Sequence, residues 1–199
     1  MKPNDFKKMK AALTRSPNAV PLPLKVRVAE IITSLKERRN EPFGMLVVLG
    51  WQNRWQKFAV TPDASQDIFA GHNINRHGTD ERPRFRADSP AAEKYQRVAQ
   101  TLLFDGAILI DGLGNVLHSG VMIEGLRPRE TATKLHPGKF SDLSAQFGFK
   151  EKVHTRHLTA ITASYQFKGT TVFTVSEESG TIHVFENGKI VYASPRRRI

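Results

Sequence analysis

The chain has 199 residues, 39% of them hydrophobic, and a formal net charge of +11. This length and apolar content suit one globular domain with a core of its own. The absence of cysteine excludes disulfides, thiolate metal sites and a cysteine nucleophile, and no apolar run approaches the roughly 18 residues that a membrane span needs. We therefore expect a soluble, cytoplasmic protein with no membrane span.

The positive charge is concentrated at the two ends of the chain. Residues 1–40 carry ten Lys and Arg against three Asp and Glu, residues 41–195 carry 17 against 16, and residues 196–198 are all Arg. Basic ends make nucleic acid a candidate partner. The distribution predicts a basic N-terminal arm over 1–24, a nearly neutral domain over 25–193 and a basic tail over 194–199.

Hydrophobic periodicity predicts the first elements of the domain. A helix of about 15 residues follows Pro23, with an apolar stripe on one face, and Glu41-Pro42 ends it. Residues 44–50, with a glycine at each end, are typical of a buried strand. Residues 61–90 are rich in Pro, Asp, Asn, Gly and Arg and predict irregular structure, and residues 91–103 predict a second helix.

The second half of the chain predicts a hairpin, a helix and three strands. Residues 105–123 form the hairpin around a Gly-rich turn, and residues 127–152 are a polar, basic connection. Thr155 caps a helix to about residue 166 whose buried face carries Leu158, Ile161, Thr162 and Tyr165. Strands over 171–175, 181–185 and 190–193 follow, the last two joined by Asn187-Gly188. The fold class is α/β, with a mixed, partly antiparallel central sheet flanked by helices.

Three short strings carry the chemistry. Asp105 comes just before its strand, whereas Glu177 and Glu178 come just after theirs, so the three carboxylates meet at one sheet edge if the two strands are antiparallel. Such carboxylates suit a divalent cation, Mn²⁺ or Mg²⁺. Arg156 and His157 begin a helix, where backbone donors favour a phosphate. Taken singly, these strings are more typical of a turn, a solvated loop and a surface helix start than of a binding site, and only their occurrence together favours a site.

The same strings resemble the diadenylate cyclase domain family, of DisA-N type, over roughly residues 25–193. Asp105-Gly106-Ala107 is similar to the family's Asp-Gly-Ala motif, and residues 155–157 to the first three residues of its Thr-Arg-His-Arg motif. Residues 175–180, Val-Ser-Glu-Glu-Ser-Gly, resemble its Val-Ser-Glu-Glu-Thr-Gly. Residues 44–50 are similar to its first core strand.

The resemblance implies a nucleotidyltransferase that condenses two ATP into cyclic di-AMP, a second messenger, between two face-to-face protomers. It implies that Asp105 binds metal and helps to activate the ribose 3′-hydroxyl, with Glu177 or Glu178 completing the metal shell. The implied catalytic residues are Asp105, Arg156 and His157. The implied ATP-binding residues are Gly106, Ala107, Met122, Ile123, Thr155, Arg156, His157 and Ser176, of which Gly106, Met122 and Ile123 line the adenine pocket.

The chain departs from the family pattern in two places. Leu158 stands where the family motif has its second Arg, so a planar phosphate ligand is missing. The segment between Gly125 and Thr155 is also longer than the family pattern predicts. Two alternatives to an active cyclase follow: a nucleotide or cyclic-dinucleotide binding module that has lost the reaction, and a nucleic-acid-binding protein that uses the basic ends. The sources of replacement charge that stay open are Arg127, Arg129, Lys150 and Lys152.

Overall fold

The computed structural model describes residues 3–38, 43–64, 67, 69–75 and 106–195. The strands within these residues are β1 (Met45–Leu49), β2 (Ala59–Val60), β3 (Ala107–Ile110), β4 (Val116–Ile123), β5 (Thr171–Val175), β6 (Ile182–Glu186) and β7 (Lys189–Ala193). They form one sheet in the order β2-β4-β3-β1-β5-β6-β7. Strands β1 and β3 run parallel and the other neighbouring pairs run antiparallel. The predicted mixed, partly antiparallel sheet is confirmed.

The helices cover both faces of this sheet. They are α1 (Pro3–Thr14), α2 (Leu22–Arg38), α3 (Pro128–Leu135), α4 (Leu143–Gln146) and α5 (Thr155–Gln166), with a 3₁₀ helix at Asn53–Phe58. Alternate residues of β1 pack into two different apolar clusters, one beneath α1 and α2 and one beneath α5. Every residue of β1 is therefore buried, as expected for a central strand that is covered on both sides. Among the described residues, no helix is both long and apolar enough to cross a bilayer.

Most predicted elements lie where the sequence placed them. Helix α2, strand β1, the β3–β4 hairpin, α5 and β5 are confirmed, and β6 begins one residue later than predicted. Asn187 and Gly188 both have positive φ, 52° and 76°, as a type I′ turn requires. The predicted helix over 91–103 and the basic tail residues 196–198 lie outside the described residues.

The connection over 127–152 is more ordered than its polar composition predicts. It contains α3 and α4, and Ala132, Phe147 and Phe149 are buried in the cluster beneath α5. These apolar residues are few and irregularly spaced among basic ones, so no helical period is visible in the sequence.

The first residues of the chain also pack against the body. Helix α1 contacts α2 and β7, and its Met9 and Leu13 are 0% and 1% exposed. Burying each such side chain contributes about 2 kcal/mol to folding. The segment that we predicted to be a basic arm therefore contains a helix whose inner face belongs to the core.

A buried ion pair joins α2 to β6, and Ser16 of the preceding segment is hydrogen-bonded to both charges. Lys25 Nζ lies 2.7 Å from Glu186 Oε1, and both side chains are almost fully buried. Lys25 also donates to the Ser16 carbonyl (2.8 Å), while Glu186 accepts from the Ser16 hydroxyl and from the Thr171 hydroxyl (2.7 Å). Each charge thus has the additional hydrogen bonds that a buried ion requires.

Candidate active site

The topology brings the ends of four strands to one edge of the sheet. Leu46 of β1 pairs with Ala107 of parallel β3 and with Thr174 of antiparallel β5. Strands β3 and β5 are therefore antiparallel to each other, and the start of β3 lies at the same edge as the end of β5. This is the arrangement that the carboxylate argument required.

A cleft of about 670 Å³ opens at this edge. It brings together every predicted site residue that the structure describes; Asp105, which precedes Gly106, lies outside the described residues. The predicted residues lining the cleft are Gly106, Ala107, Met122, Ile123, Thr155, Arg156, His157, Ser176, Glu177 and Glu178.

Four further residues line the cleft that the motifs did not single out: Leu46, Val121, His154 and Thr159. Thr159 lies four residues after Thr155 and so lies on the same face of the helix. This spacing could have identified Thr159 from the sequence. Leu46 and Val121 are apolar strand residues, which nothing in the sequence distinguishes from core residues. They give one wall of the cleft an apolar surface that suits a base or a ribose.

Gly106 forms part of the cleft where two strands approach closely. An added Cβ at Gly106 would lie 2.7 Å from the Gly120 Cα, which is inside the repulsive range. Gly120 has a φ of +70° and sits where the β3–β4 register shifts between Ala107 and Leu109. Glycine at 106 is therefore required by contact with main chain, which cannot move aside as a side chain can.

Helix α5 begins at the cleft with a different cap from the one predicted. Its first helical residue is Thr155, and the cap position belongs to His154, whose side chain makes no capping hydrogen bond to the residues described. The prediction that Thr155 caps the helix is wrong by one residue. The extended backbone of His154, with φ −91° and ψ 176°, starts the helix instead. Thr155 therefore lies in the first turn and lines the cleft beside the backbone donors that favour an anion.

Two neighbours determine where the Arg156 side chain lies at the cleft: the carboxylate of Glu177 and the space left by Gly44, which has no side chain. Its Nη1 lies 3.8 Å from Glu177 Oε2. Its guanidinium occupies the space where a side chain on Gly44 would begin, since an added Cβ would lie 2.6 Å from Arg156 Nη2 and closer still to Nη1. Gly44, which precedes β1, thus makes room for the one arginine that lines this cleft among the described residues.

Replacing Gly44 by Ala is expected to displace the Arg156 guanidinium and to weaken the binding of a phosphate group in this cleft about tenfold, the effect of losing one hydrogen bond to a charged group. The unfolding midpoint in urea stays close to wild type, because the displaced group is the end of a flexible side chain. Titration calorimetry with a non-hydrolysable ATP analogue measures the affinity. Gly112→Ala, whose added Cβ meets nothing within 4 Å, is the matched control. Equal affinities for the two variants would contradict the assignment.

His157 is buried as a neutral imidazole beside a second histidine. The His157 and His183 rings lie 4.8 Å apart at an interplanar angle of 88°. Burial is the main cause that lowers the pKa of His157 to about 4, aided by His183 and Arg156, and burial lowers the pKa of His183 to about 4. His157 Nε2 and His183 Nδ1 have no hydrogen-bond partner in the described part of the chain. His157 therefore carries no charge at neutral pH.

These two histidines predict that stability falls in acid. A histidine with a lowered folded pKa binds its proton more readily when unfolded, so its contribution is complete above about pH 6.5 and is lost as the pH falls toward 4. We expect the free energy of unfolding in urea to decrease by on the order of 2–3 kcal/mol per histidine over this range. The His183→Phe variant should show a shallower pH dependence, and an unchanged slope would refute this origin.

Glu177 and Glu178 lie on the cleft wall and are accessible, each 65% exposed. Glu178 Oε1 lies 3.2 Å from His154 Nε2. No group of three or more His, Asp or Glu side chains is placed to hold a metal among the residues that the structure describes. The two carboxylates present nevertheless have the oxygen donors that Mn²⁺ and Mg²⁺ prefer, and the chain supplies a third in Asp105 directly before Gly106. The donor chemistry fits such an ion.

Leu158, the position at which the chain departs from the motif, does not line the cleft. Its side chain is partly buried against the apolar cluster beneath α5. Ala160, Ala163 and Ser164 are more deeply buried than Leu158 and Tyr165, which were predicted to face the core. Small residues allow the helix to approach the sheet closely, and this turns Leu158 toward the edge of the cluster.

Comparison with known proteins gives one family match and several structural matches. The model of the family described as DisA bacterial checkpoint controller nucleotide-binding matches residues 32–190. A hypothetical membrane spanning protein from Bacillus cereus is 18% identical with a TM-score of 0.48, over 86% of this chain and 63% of that one. DacA from Staphylococcus aureus, as a double mutant, is 19% identical with a TM-score of 0.44, over 84% and 83%. No curated protein matches the chain. The chain thus spans less than two thirds of the Bacillus cereus chain's length.

Proposed function

Because this chain belongs to the DisA bacterial checkpoint controller nucleotide-binding family, we propose that it is a diadenylate cyclase, which joins two ATP molecules into cyclic di-AMP. One observation carries the proposal. All the predicted site residues that the structure describes, drawn from the start of β3, the end of β4, the start of α5 and the turn after β5, line a single cleft. These stretches are far apart in the sequence, and a purely structural role gives no reason for them to meet around a cavity.

The cleft offers the groups that an ATP molecule needs. The apolar wall around Ala107, Met122 and Ile123 suits the adenine ring, and Gly106 leaves the backbone accessible. Met122 is 55% exposed, so its side chain is accessible to a ligand in the cleft. Arg156, the start of α5 and Ser176 supply donors for phosphate oxygens.

The reaction needs one proton transfer and one displacement for each bond formed. The 3′-oxygen of one ATP attacks the α-phosphorus of the other, the bond to the bridging oxygen breaks, and pyrophosphate leaves. We assign to Asp105 the task of accepting the 3′-hydroxyl proton and orienting that oxygen. Arg156 binds the charge that develops on the phosphate. A divalent ion, when held by Asp105 with Glu177 or Glu178, would supply further charge neutralisation.

Cyclisation requires two copies of the chain. One cleft holds one ATP, and both bonds of the product join two nucleotides, so two clefts must face each other. We therefore propose a homodimer or a larger assembly as the active form. The rate per protomer should rise with protein concentration until the assembly is complete.

Incubation of the purified protein with ATP and Mn²⁺ or Mg²⁺, followed by chromatographic detection of cyclic di-AMP, tests the proposal. Product that increases more than linearly with protein concentration is expected. If the protein binds a non-hydrolysable ATP analogue but makes no product at any concentration of metal or protein, the cyclase is refuted in favour of a binding module. The feature that favours the binding module as an alternative to the cyclase is Leu158, which stands where the family motif has a positively charged Arg.

A further inference from the structure

A second cavity, of about 580 Å³, lies beside the nucleotide cleft. Strand β5 ends, β6 begins and β7 ends at the same end of the sheet as the cleft. The second cavity therefore lies along this end of the sheet, on the other side of the turn at residues 176–181. The two cavities share four lining residues: His154, His157, Ser176 and Glu178. A molecule bound in the cleft against these shared residues can therefore reach the second cavity without crossing the core.

The second cavity carries the side chains that phosphate oxygens need. Three lysines line it, Lys8 from α1 and Lys150 and Lys152 from the segment before α5, against two carboxylates, Glu151 and Glu178. Glu178 already has His154 beside it. Hydroxyl donors line the cavity as well, at Ser176, Ser179, Thr181 and Ser194. Ammonium and hydroxyl groups together are typical of a site for a phosphate chain.

Two paired histidines face this cavity, and one of them, His157, also lines the nucleotide cleft. His157 and His183 both line the second cavity, and each has a buried ring nitrogen that no described residue satisfies. Both rings are neutral at pH 7, so they add no positive charge to the cavity. The positive charge of the cavity must therefore come from its lysines.

The structure also distinguishes among the four cations that the sequence left open. Arg127 and Arg129 line neither cavity. Arg127 Nη1 lies 2.8 Å from Glu130 Oε1 on the surface, an ion pair that raises the pKa of Arg127. Lys150 and Lys152 instead line the second cavity, one on each side of Glu151. They belong to the segment that is longer than the family pattern predicts, directly before the helix in which Leu158 replaces an arginine.

We propose that the second cavity receives the terminal phosphates of the bound nucleoside triphosphate and that Lys150 and Lys152 bind them. This inference rests on the proposed function, because it places the adenosine in the adjoining cleft. The α-phosphate then lies by Arg156 and the shared wall, and the β- and γ-phosphates extend past His154 toward the two lysines. The charge that Leu158 lacks is supplied from a different segment.

Calorimetric titration of the Lys150→Ala/Lys152→Ala variant with AMP and with a non-hydrolysable ATP analogue tests this. We expect the affinity for the ATP analogue to fall about tenfold or more, the effect of lost charged hydrogen bonds, and the affinity for AMP to stay within about twofold of wild type. Inorganic pyrophosphate should compete with the ATP analogue on wild type and compete less well on the variant. Lys134→Ala/Lys139→Ala is the matched control, since these exposed lysines lie in the same segment and line neither cavity.

The outcomes separate this inference from the proposed function. Suppose that the wild type binds the ATP analogue and makes cyclic di-AMP. If the variant then loses affinity for AMP and for the ATP analogue equally, or loses affinity for neither ligand, the phosphate assignment is overturned while the cyclase stands. If the wild type binds no nucleotide, the proposed function fails and the inference fails with it. Equal losses in the variant and its control would show a general effect of charge and would also overturn the assignment.

Discussion

Replacing Asp105 by Asn is expected to reduce the rate of cyclic di-AMP formation by about a thousandfold or more. The amide keeps the size of the side chain but can neither accept the 3′-hydroxyl proton nor give a full negative charge to a divalent ion, and general-base catalysis alone contributes about 10²–10⁴-fold. Steady-state turnover with saturating ATP and Mn²⁺ measures the effect. Binding of a non-hydrolysable ATP analogue in the absence of metal should change little.

Asp111→Asn is the control for this substitution. Asp111 lies at the far end of β3, where its carboxylate accepts hydrogen bonds from Leu113 and Asn115 within the hairpin turn. We expect this variant to keep its turnover. Turnover of Asp105→Asn within tenfold of wild type, with an unchanged melting temperature, would remove Asp105 from the proposed chemistry.

Replacing Glu186 by Ala is expected to lower the free energy of unfolding by about 3–5 kcal/mol, because it leaves the Lys25 ammonium buried without its partner. The carboxylate also accepts hydrogen bonds from Ser16 and Thr171, and both donors lose that acceptor. Urea unfolding at pH 7 measures the change. For a domain of this size it is a large part of the total stability.

The Lys25→Met/Glu186→Leu double variant distinguishes the cost of an unpaired buried charge from the cost of lost packing around it. Removing both charges leaves no unpaired ion, so the double variant should be more stable than Glu186→Ala. If the double variant is the less stable of the two, the loss comes from packing or from the hydroxyl partners rather than from the unpaired lysine.

Where a local pattern decides the structure, the sequence predicts it well. The apolar run of residues 45–49 with a glycine at each end predicted β1, and Asn187-Gly188 predicted the turn between β6 and β7, because each depends on a few neighbouring residues. The sequence also predicted that the three strings meet at one end of the sheet, provided that the strand after Asp105 and the strand before Glu177 are antiparallel. The placement of β1 between β3 and β5 satisfies that condition.

Long-range contacts explain what the sequence did not show. Basic residues far outnumber acidic ones over the first 40 positions, and only the folded partner surfaces reveal that Met9 and Leu13 are buried and that Lys25 meets Glu186. The role of Gly44 was hidden for the same reason, since the group that needs its space is Arg156, more than a hundred residues later. The cap position falls on His154 rather than on Thr155, a shift of one residue that propensity does not resolve.

The packing of α1 has a practical consequence for anyone who expresses this protein. The family match begins at residue 32, inside α2, so a fragment trimmed to that boundary would lack α1 and the first half of α2. The apolar sheet face that Met9, Leu13 and Val28 cover would then be open to water, and such fragments tend to aggregate. Lys8 would be lost from the second cavity in the same cut. An inactive or insoluble fragment of that kind would report on the missing helices and would say nothing about Leu158.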